Sequence, residues 1–136
     1  MRTRCAAFII KDNKILLIKR VKKERTYWVF PGGGVEVGET EEGALEREMF
    51  EETGLKILSS NKCFDFTDYA NNTEEVFFMV ELEEGNPQIV GIEKERESKD
   101  NSYKLIWENL SILENDNVYS TVAREWLREF LNNQQE

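Results

Sequence analysis

The chain contains no histidine among its 136 residues. This absence excludes Ser-His and Cys-His catalysis, and it excludes any zinc site that relies on histidine ligands. Acid–base chemistry in this protein must therefore come from carboxylates, lysine, tyrosine or a metal-bound water.

Cysteines and long apolar segments are also scarce. Cys5 and Cys63 lie in apolar, strand-like contexts without CxxC spacing, so we expect two reduced core thiols and no disulfide. No apolar stretch approaches the roughly 20 residues that a membrane helix needs. The apolar run over residues 5–10 is too short for a signal peptide. We therefore expect a cytoplasmic protein with no membrane partner.

Acidic residues outnumber basic ones, and the formal net charge is −9. This excess disfavours nucleic acid as a partner, because nucleic acid is itself a polyanion. A small phosphorylated substrate is still compatible with the charge, since bound divalent cations can reverse the local sign.

Hydrophobic patterning predicts strands and two helices in one α/β domain over residues 1–136. The predicted strands cover residues 4–10, 14–19, 26–30, 56–67, 74–82, 88–92 and 103–107. One helix is predicted over 40–53, with Thr40 as its N-cap and Gly54 as its stop, and a second helix from Val118 to Phe130. Basic residues 20–25 and polar residues 93–102 are predicted to form loops.

The most informative segment is 33–55, where a glycine-rich turn leads into the first predicted helix. Glu48, Glu51 and Glu52 have i, i+3 and i+4 spacing, so three carboxylates share one helix face. Each like-charged pair costs about 0.2–0.5 kcal/mol, and Arg47 is the only nearby cation. Because hard divalent cations prefer carboxylate oxygens, this face predicts a metal site.

The same segment matches the pattern G-x5-E-x7-R-E-U-x-E-E-x-G-U, where U is a bulky aliphatic residue. The fixed positions are Gly33, Glu39, Arg47, Glu48, Met49, Glu51, Glu52, Gly54 and Leu55. At residue frequencies of roughly 7%, seven specified residues match by chance about once in 10^8 starting positions. The pattern resembles the Nudix box, and residues 28–33, WVFPGG, resemble its entry strand. The resemblance implies an α/β/α sandwich with a mixed central β-sheet between helices.

The resemblance also implies an activity, namely hydrolysis of a nucleoside diphosphate linked to another moiety, with Mg²⁺ or Mn²⁺ as the cofactor. Arg47 resembles the residue that orients the box carboxylates, and Glu39 is expected to pair with Arg47. The groups that resemble the metal ligands are the carboxylates of Glu48, Glu51 and Glu52 and the carbonyl of Gly32.

The sequence does not identify which residue is the general base. It is either a box glutamate or a carboxylate of the later polar loop, where Glu93 and Glu95 lie. We prefer Glu93 within that loop, because it follows the end of a predicted strand. A solvated loop charge is the alternative interpretation of Glu93.

Four residues outside the box are candidates for substrate contact. Arg20, in the basic cluster of residues 19–25, is the best candidate to receive substrate phosphates, and solvated loop charge is the alternative. Tyr27, Trp28 and Phe66 could stack on a base, a contact worth ~1–3 kcal/mol in nucleic-acid sites. Core packing is the alternative for all three aromatic residues.

Markers of individual subfamilies narrow the substrate only by elimination. Residues 68–72 lack the proline of many ADP-ribose hydrolases. Tyr69 is not in clear register with the tyrosine that dinucleoside polyphosphate hydrolases often have. Residues 20–30 lack the signature of coenzyme A hydrolases. We therefore expect a small nucleotide, either a nucleoside triphosphate or a modified nucleotide. ADP-ribose, a nucleotide sugar or a dinucleoside polyphosphate is the alternative substrate, and a nucleotide-sensing module without catalysis is the alternative function. Nudix proteins are often dimers, which leaves a homodimer open.

Overall fold

The computed structural model describes residues 1–87 and 101–134. A short 3-10 helix, Leu110–Glu114, follows the eighth strand. The strands and α-helices in these ranges are β1 (Arg2–Phe8), β2 (Ile10–Lys11), β3 (Lys14–Lys22), β4 (Arg25–Val29), β5 (Gly32–Gly34), α1 (Glu41–Thr53), β6 (Ile57–Asp68), β7 (Thr73–Leu82), β8 (Asn101–Asn109), β9 (Val118–Tyr119) and α2 (Thr121–Gln134).

The strands form two mixed sheets. In the first sheet, with order β5-β1-β7-β6, strand β1 pairs in parallel with β7 and antiparallel with β5. In the second, with order β2-β3-β4-β9, strand β8 adds to β3 along its whole length. The predicted α/β fold is confirmed. The division into two sheets is a feature that the order of elements along the chain did not indicate.

The first sheet is buried on both faces, which explains its apolar central strands. Successive side chains of a strand point to opposite faces, so Cys5 and Ala7 pack with Met49 of α1, whereas Phe8 packs with Leu127 of α2. The two helices therefore cover opposite faces of this sheet. Both cysteines are free, as predicted, and burial raises the pKa of the Cys5 thiol to about 11.

Helix α1 has the ends that the sequence predicts. The Oγ1 of Thr40 accepts a hydrogen bond from the N–H of Gly43 at 3.0 Å. At the other end Gly54 has a left-handed φ of 74°, and its N–H donates to the carbonyl of Phe50. These two caps fix where the helix starts and stops, and the apolar contacts of Met49 fix which face turns to the sheet.

The turn between β2 and β3 is also as predicted. Asp12 and Asn13 have φ values of 53° and 63°, which is the geometry of a type I′ hairpin turn. In the part of the chain that the structure describes, no helix is long and apolar enough to cross a membrane.

Several predicted boundaries were wrong, and the predicted glycine-rich turn includes strand β5. Residues 20–22 were predicted in a loop but belong to β3, because β4 and β8 pair with them on either side. Val118 was predicted in the second helix but lies in β9, where it pairs with Trp28 of β4. The helix begins at Thr121. The predicted strand over 88–92 and the predicted loop up to residue 100 lie outside the described residues, and β8 already begins at 101.

Candidate active site

Two of the box carboxylates lie directly against the glycine strand β5. The N–H of Gly32 donates to Oε2 of Glu52 at 3.0 Å. A β-carbon placed on Gly33 would lie 2.3 Å from the carboxyl carbon of Glu48, well inside van der Waals contact. Glycine at position 33 therefore allows the carboxylate of Glu48 to approach the strand backbone.

Arg47 joins the glycine strand to the helix through four hydrogen bonds. Its Nε and Nη2 donate to the two carboxylate oxygens of Glu39, each at 2.8 Å, and Nη2 also donates to the carbonyl of Gly34 at 2.9 Å. Its Nη1 donates to Oε1 of Glu48 at 2.7 Å. The predicted Arg47–Glu39 pair is confirmed, and the bidentate geometry fixes the guanidinium plane.

The Arg47 contacts also shift the ionisation of the pair. The hydrogen bonds from the Arg47 guanidinium, and then that from the backbone N–H of Glu36, lower the pKa of Glu39 from 4.5 to about 2. The same carboxylate, with Glu48, raises the pKa of Arg47. Both groups are therefore charged throughout the neutral range.

This pairing predicts a pH-dependent contribution to stability. A carboxyl whose pKa is lower in the folded state stabilises the protein above its unfolded pKa, and that contribution is lost as pH falls through the folded pKa. We expect wild type to melt at a higher temperature than Glu39→Gln at neutral pH, with the difference shrinking between pH 4.5 and pH 2. Thermal melts of both proteins across this pH range measure the difference in melting temperature.

The control for this prediction is Glu46→Gln, because Glu46 is an exposed glutamate of the neighbouring helix α1. Its melting curve should follow that of wild type at each pH. A wild-type advantage over Glu39→Gln that stays constant down to pH 2 would mean that the Arg47–Glu39 pair does not set this pKa.

The three box carboxylates differ in their surroundings. The side chains of Glu48 and Glu51 are 13% and 50% exposed, and Glu52 is buried. Within 1–87 and 101–134, no group of three or more His, Cys, Asp or Glu side chains is arranged to hold a metal ion. In this structure Nη1 of Arg47 donates to Glu48, and the Gly32 N–H donates to Glu52.

The donor chemistry of this site nevertheless suits a hard divalent cation. Mg²⁺ retains several waters and takes only one or two protein carboxylates. Glu48 and Glu52 supply two such carboxylates beside the same strand, where the carboxyl group of Glu48 lies against Gly33 and that of Glu52 accepts the N–H of Gly32. Glu51 lies 3.6 Å from Nη1 of Arg47, on the more exposed side of the helix.

A cleft of about 400 Å³ opens between the two sheets, beside Gly32 and Glu52. Of the four predicted substrate contacts, Arg20 is the one that lines this cleft in the described part of the chain. Other lining residues come from both sheets and include Arg4, Thr73, Glu75, Tyr103 and Tyr119.

The three aromatic candidates are not among the described residues that line the cleft. The Nε1 of Trp28 donates to Glu108 at 2.8 Å, and the ring packs against the core cluster that contains Phe8 and Leu127. Phe66 belongs to the same cluster, where its ring centroid is 6.3 Å from that of Phe77. Tyr27 lies next to the cleft residue Arg20, its register partner on β3, with 5.6 Å between the guanidinium carbon of Arg20 and the Tyr27 ring centroid. The guanidinium carbon of Arg25 lies 4.7 Å from the same centroid.

Sequence reasoning missed the other lining residues named above, and Tyr103 shows why. Tyr103 pairs with Arg20 across β8 and β3, which are about eighty residues apart along the chain. Nothing in the local pattern around Tyr103 indicates that pairing, although its place near the start of a predicted strand marked it as a possible sheet residue. Glu93 and Glu95, the predicted loop carboxylates, lie outside the described residues.

The protein is therefore an α/β protein in which a glutamate-bearing helix packs on a glycine strand. A cleft between two mixed sheets lies beside that strand. This chain belongs to the NUDIX domain family, whose model matches residues 1–130. Among solved structures, the MutT NUDIX hydrolase from Burkholderia pseudomallei is 33% identical with a TM-score of 0.58, and the match covers 81% of this chain and 84% of that one.

Matches to curated relatives are shorter. An RNA pyrophosphohydrolase from Blochmanniella floridana is 45% identical over 57 residues, which are 38% of this chain and 35% of that protein. An 8-oxo-dGTP diphosphatase from Buchnera aphidicola subsp. Schizaphis graminum is 50% identical over 52 residues, which are 37% of this chain and 40% of that protein. The chain therefore spans less than half the length of these two relatives.

Proposed function

We propose that this protein hydrolyses a pyrophosphate bond in a nucleoside diphosphate linked to another moiety, with Mg²⁺ or Mn²⁺ as cofactor. The observation that carries the proposal is the placement of Glu48 and Glu52 against the glycine strand, beside a cleft. Membership of the NUDIX domain family supports the same chemistry.

A nucleoside triphosphate or a modified nucleotide is the proposed substrate. The cleft volume of about 400 Å³ lies within the range of small-molecule sites, roughly 300–1,000 Å³. The similarity to an 8-oxo-dGTP diphosphatase and to a MutT NUDIX hydrolase supports a compact nucleotide. The similarity to an RNA pyrophosphohydrolase makes the 5′ end of RNA a substrate that the assay must also include.

The proposed ligands of the cation are the carboxylates of Glu48, Glu51 and Glu52 and the carbonyl of Gly32. When bound, a divalent cation neutralises phosphate oxygens and acidifies a water molecule. Arg47 holds the carboxylate of Glu48 in place, since its Nη1 donates to Oε1.

Glu39 has a positioning role in this proposal. Its two oxygens occupy the Nε and Nη2 groups of Arg47, so the guanidinium is held between the glycine strand and the helix. The general base is a box glutamate or Glu93, and we keep Glu93 as the candidate from the later loop.

The experiment is a substrate panel assayed with Mg²⁺ and with Mn²⁺. It contains the common nucleoside triphosphates, 8-oxo-dGTP, ADP-ribose, a nucleotide sugar, a dinucleoside polyphosphate and a 5′-triphosphorylated oligoribonucleotide. We expect hydrolysis of a nucleoside triphosphate or a modified nucleotide at the highest kcat/KM. Tight binding of a nucleotide without hydrolysis of any panel member would instead support the nucleotide-sensing module.

A further inference from the structure

We propose that Glu75 is a specificity-determining residue that selects a guanine-type base, one whose edge carries two adjacent N–H donors. The inference rests on the proposed function, since it requires a nucleotide to enter the cleft. Glu75 lines the cleft that also contains Gly32 and Glu52. A nucleotide whose phosphates lie near Glu52 would therefore share the cleft with the carboxylate of Glu75.

One wall of the cleft is a face of the first sheet. Glu75 of β7 and its register partner on β1, Arg4, both line the cleft. Two residues further along, Phe77 and its partner Ala6 also line it, and Ala6 pairs in turn with Gly32 of β5. Because neighbouring strands lie about 4.8 Å apart, β7 is about 10 Å across the sheet from the glycine strand. Glu75 thus projects from a different strand than the proposed ligands of the cation.

The carboxylate of Glu75 is available to a ligand. In the described part of the chain, the cleft is also lined by the carboxylates of Glu52 and Asp68. Oε2 of Glu52 accepts a backbone N–H, and the two oxygens of Asp68 accept hydrogen bonds from Asn71 at 3.2 and 2.8 Å. Within 1–87 and 101–134, the Glu75 side chain has no such hydrogen bond, and no cationic nitrogen, including those of its neighbour Arg4, lies within 4.0 Å of its oxygens.

A carboxylate without a partner in this cleft favours neutral donor groups of the substrate. It repels phosphate oxygens, and it accepts hydrogen bonds only from N–H or O–H groups. Guanine has two adjacent donors on one edge, N1–H and the 2-amino group, so both oxygens of one carboxylate can accept from it. Adenine and cytosine instead place an acceptor nitrogen beside their amino group. The donor pattern of guanine is therefore the one that a single carboxylate complements best.

The apolar surroundings of Glu75 favour a base over a sugar. Phe77 lies two residues further along β7, so it faces the same side of the sheet as Glu75. Ile18, Val29 and Phe30 also line the cleft. Apolar walls with a few placed polar groups are typical of small-molecule sites, where the polar groups give specificity. A base has apolar faces and a polar edge, so its faces can contact these side chains while its edge contacts Glu75.

The chain offers a matched control one residue away. Glu74 is also a glutamate of β7, but side chains alternate along a strand, so it leaves the sheet on the opposite face. It is not among the described residues that line the cleft, and its Oε2 accepts a hydrogen bond from the Thr67 hydroxyl at 2.7 Å. Glu74→Gln thus removes the same charge from the same strand outside the cleft.

The test measures binding of four nucleoside monophosphates by calorimetry in the presence of Mg²⁺. These probes have no pyrophosphate bond, so their binding is measured without hydrolysis. They are GMP, IMP, which lacks the 2-amino group, XMP, which has a carbonyl in its place, and dGMP, which lacks the 2′-hydroxyl. We expect wild type to bind GMP at least about tenfold more tightly than IMP, as for loss of a hydrogen bond to a charged group. It should bind dGMP as tightly as GMP, and Glu74→Gln should reproduce all four affinities.

Glu75→Gln is expected to reverse the preference between GMP and XMP. An amide presents one acceptor and one donor, which match the N1–H and the 2-carbonyl of xanthine. The variant should therefore bind XMP more tightly than GMP, whereas wild type binds GMP more tightly. Its melting temperature should stay near that of wild type, and a gain of affinity for XMP cannot result from a folding defect.

Four results would overturn the inference. Wild type that binds none of the probes, or binds GMP and IMP equally, would exclude selection of the guanine edge. A Glu75→Gln variant that loses affinity for GMP but not for dGMP would make Glu75 a ligand of the ribose. A lower kcat for GTP in that variant, with GMP binding unchanged, would give Glu75 a catalytic role instead.

Turnover of GTP by wild type separates this inference from the proposed function. If wild type discriminates among the monophosphates as expected but hydrolyses neither GTP nor any other panel member, the proposed function fails and selection by Glu75 stands. If GTP is hydrolysed but GMP and IMP bind equally, the proposed function stands and the inference fails.

Discussion

Replacement of Glu52 by glutamine is expected to lower nucleotide turnover by at least ~10²-fold, within the range for loss of charge stabilisation or acid–base help. Glutamine keeps the length of the side chain, and its carbonyl oxygen can still accept the N–H of Gly32, which donates to Oε2 at 3.0 Å in wild type. The substitution therefore removes a negative charge beside the cleft and leaves the contact with β5 possible. The measurement is kcat with the best substrate of the panel.

Glu46→Gln is the control for this substitution. It removes the same charge from the same helix, but Glu46 is exposed and does not line the cleft. Its turnover and its melting temperature should match wild type. If Glu52→Gln turned over nucleotide at a near-normal rate, the assignment of Glu52 to the metal site would be wrong.

Replacement of Gly32 by alanine is expected to destabilise the fold by about 3 kcal/mol or more, the upper range for overpacking. The new β-carbon would lie 2.2 Å from the carbonyl oxygen of Cys5 and 2.6 Å from Cα of Ala6, both of which are backbone atoms. Strand β1 would have to move away from β5, against the pairing of Ala6 with Gly32. A melting temperature lowered by roughly 10 °C is the expected result.

The neighbouring substitution, Gly33→Ala, should act on function and leave stability nearly intact. Its β-carbon would meet the carboxyl group of Glu48, at 2.3 Å from the carboxyl carbon, and that group is the end of a flexible side chain. Displacement of this carboxylate by about an ångström is expected to lower turnover by roughly 10–100-fold. Equal losses of stability in Gly32→Ala and Gly33→Ala would contradict this division between the two glycines.

The parts of the fold that local sequence could predict are those set by local chemistry. Thr40 and Gly54 mark the ends of α1, because an N-cap hydroxyl and a left-handed glycine are local requirements of a helix. Asp12 and Asn13 mark the β2–β3 turn for the same reason. The Arg47–Glu39 pair followed from the match to the box, not from helical spacing, since Glu39 precedes the helix.

The parts that sequence did not predict depend on long-range pairing. Residues 20–22 lie in a basic segment that was predicted to form a loop, yet β8 and β4 pair with them on both sides. Tyr103 became a site candidate only once its pairing with Arg20 was known. From sequence alone, Phe66 is equally compatible with core packing and with stacking on a ligand. The tertiary contacts place its ring beside that of Phe77.

The proposed ligands of the cation give another example of a feature that spacing alone does not determine. Spacing alone places Glu48, Glu51 and Glu52 on one helix face, but it does not give the direction of each side chain. Hydrogen bonds from Arg47 and Gly32 turn the first and last of these toward the glycine strand, and Glu51 stays half exposed.

The most direct test of metal-dependent hydrolysis at this site follows nucleotide consumption under three conditions. Wild-type protein is assayed with the best panel substrate and Mg²⁺, then with EDTA in excess, and then with Mg²⁺ restored. We predict turnover in the first condition, none in the second and full recovery in the third. Turnover that persists in excess EDTA, or no hydrolysis of any panel member with Mg²⁺ or Mn²⁺, would contradict the proposed function.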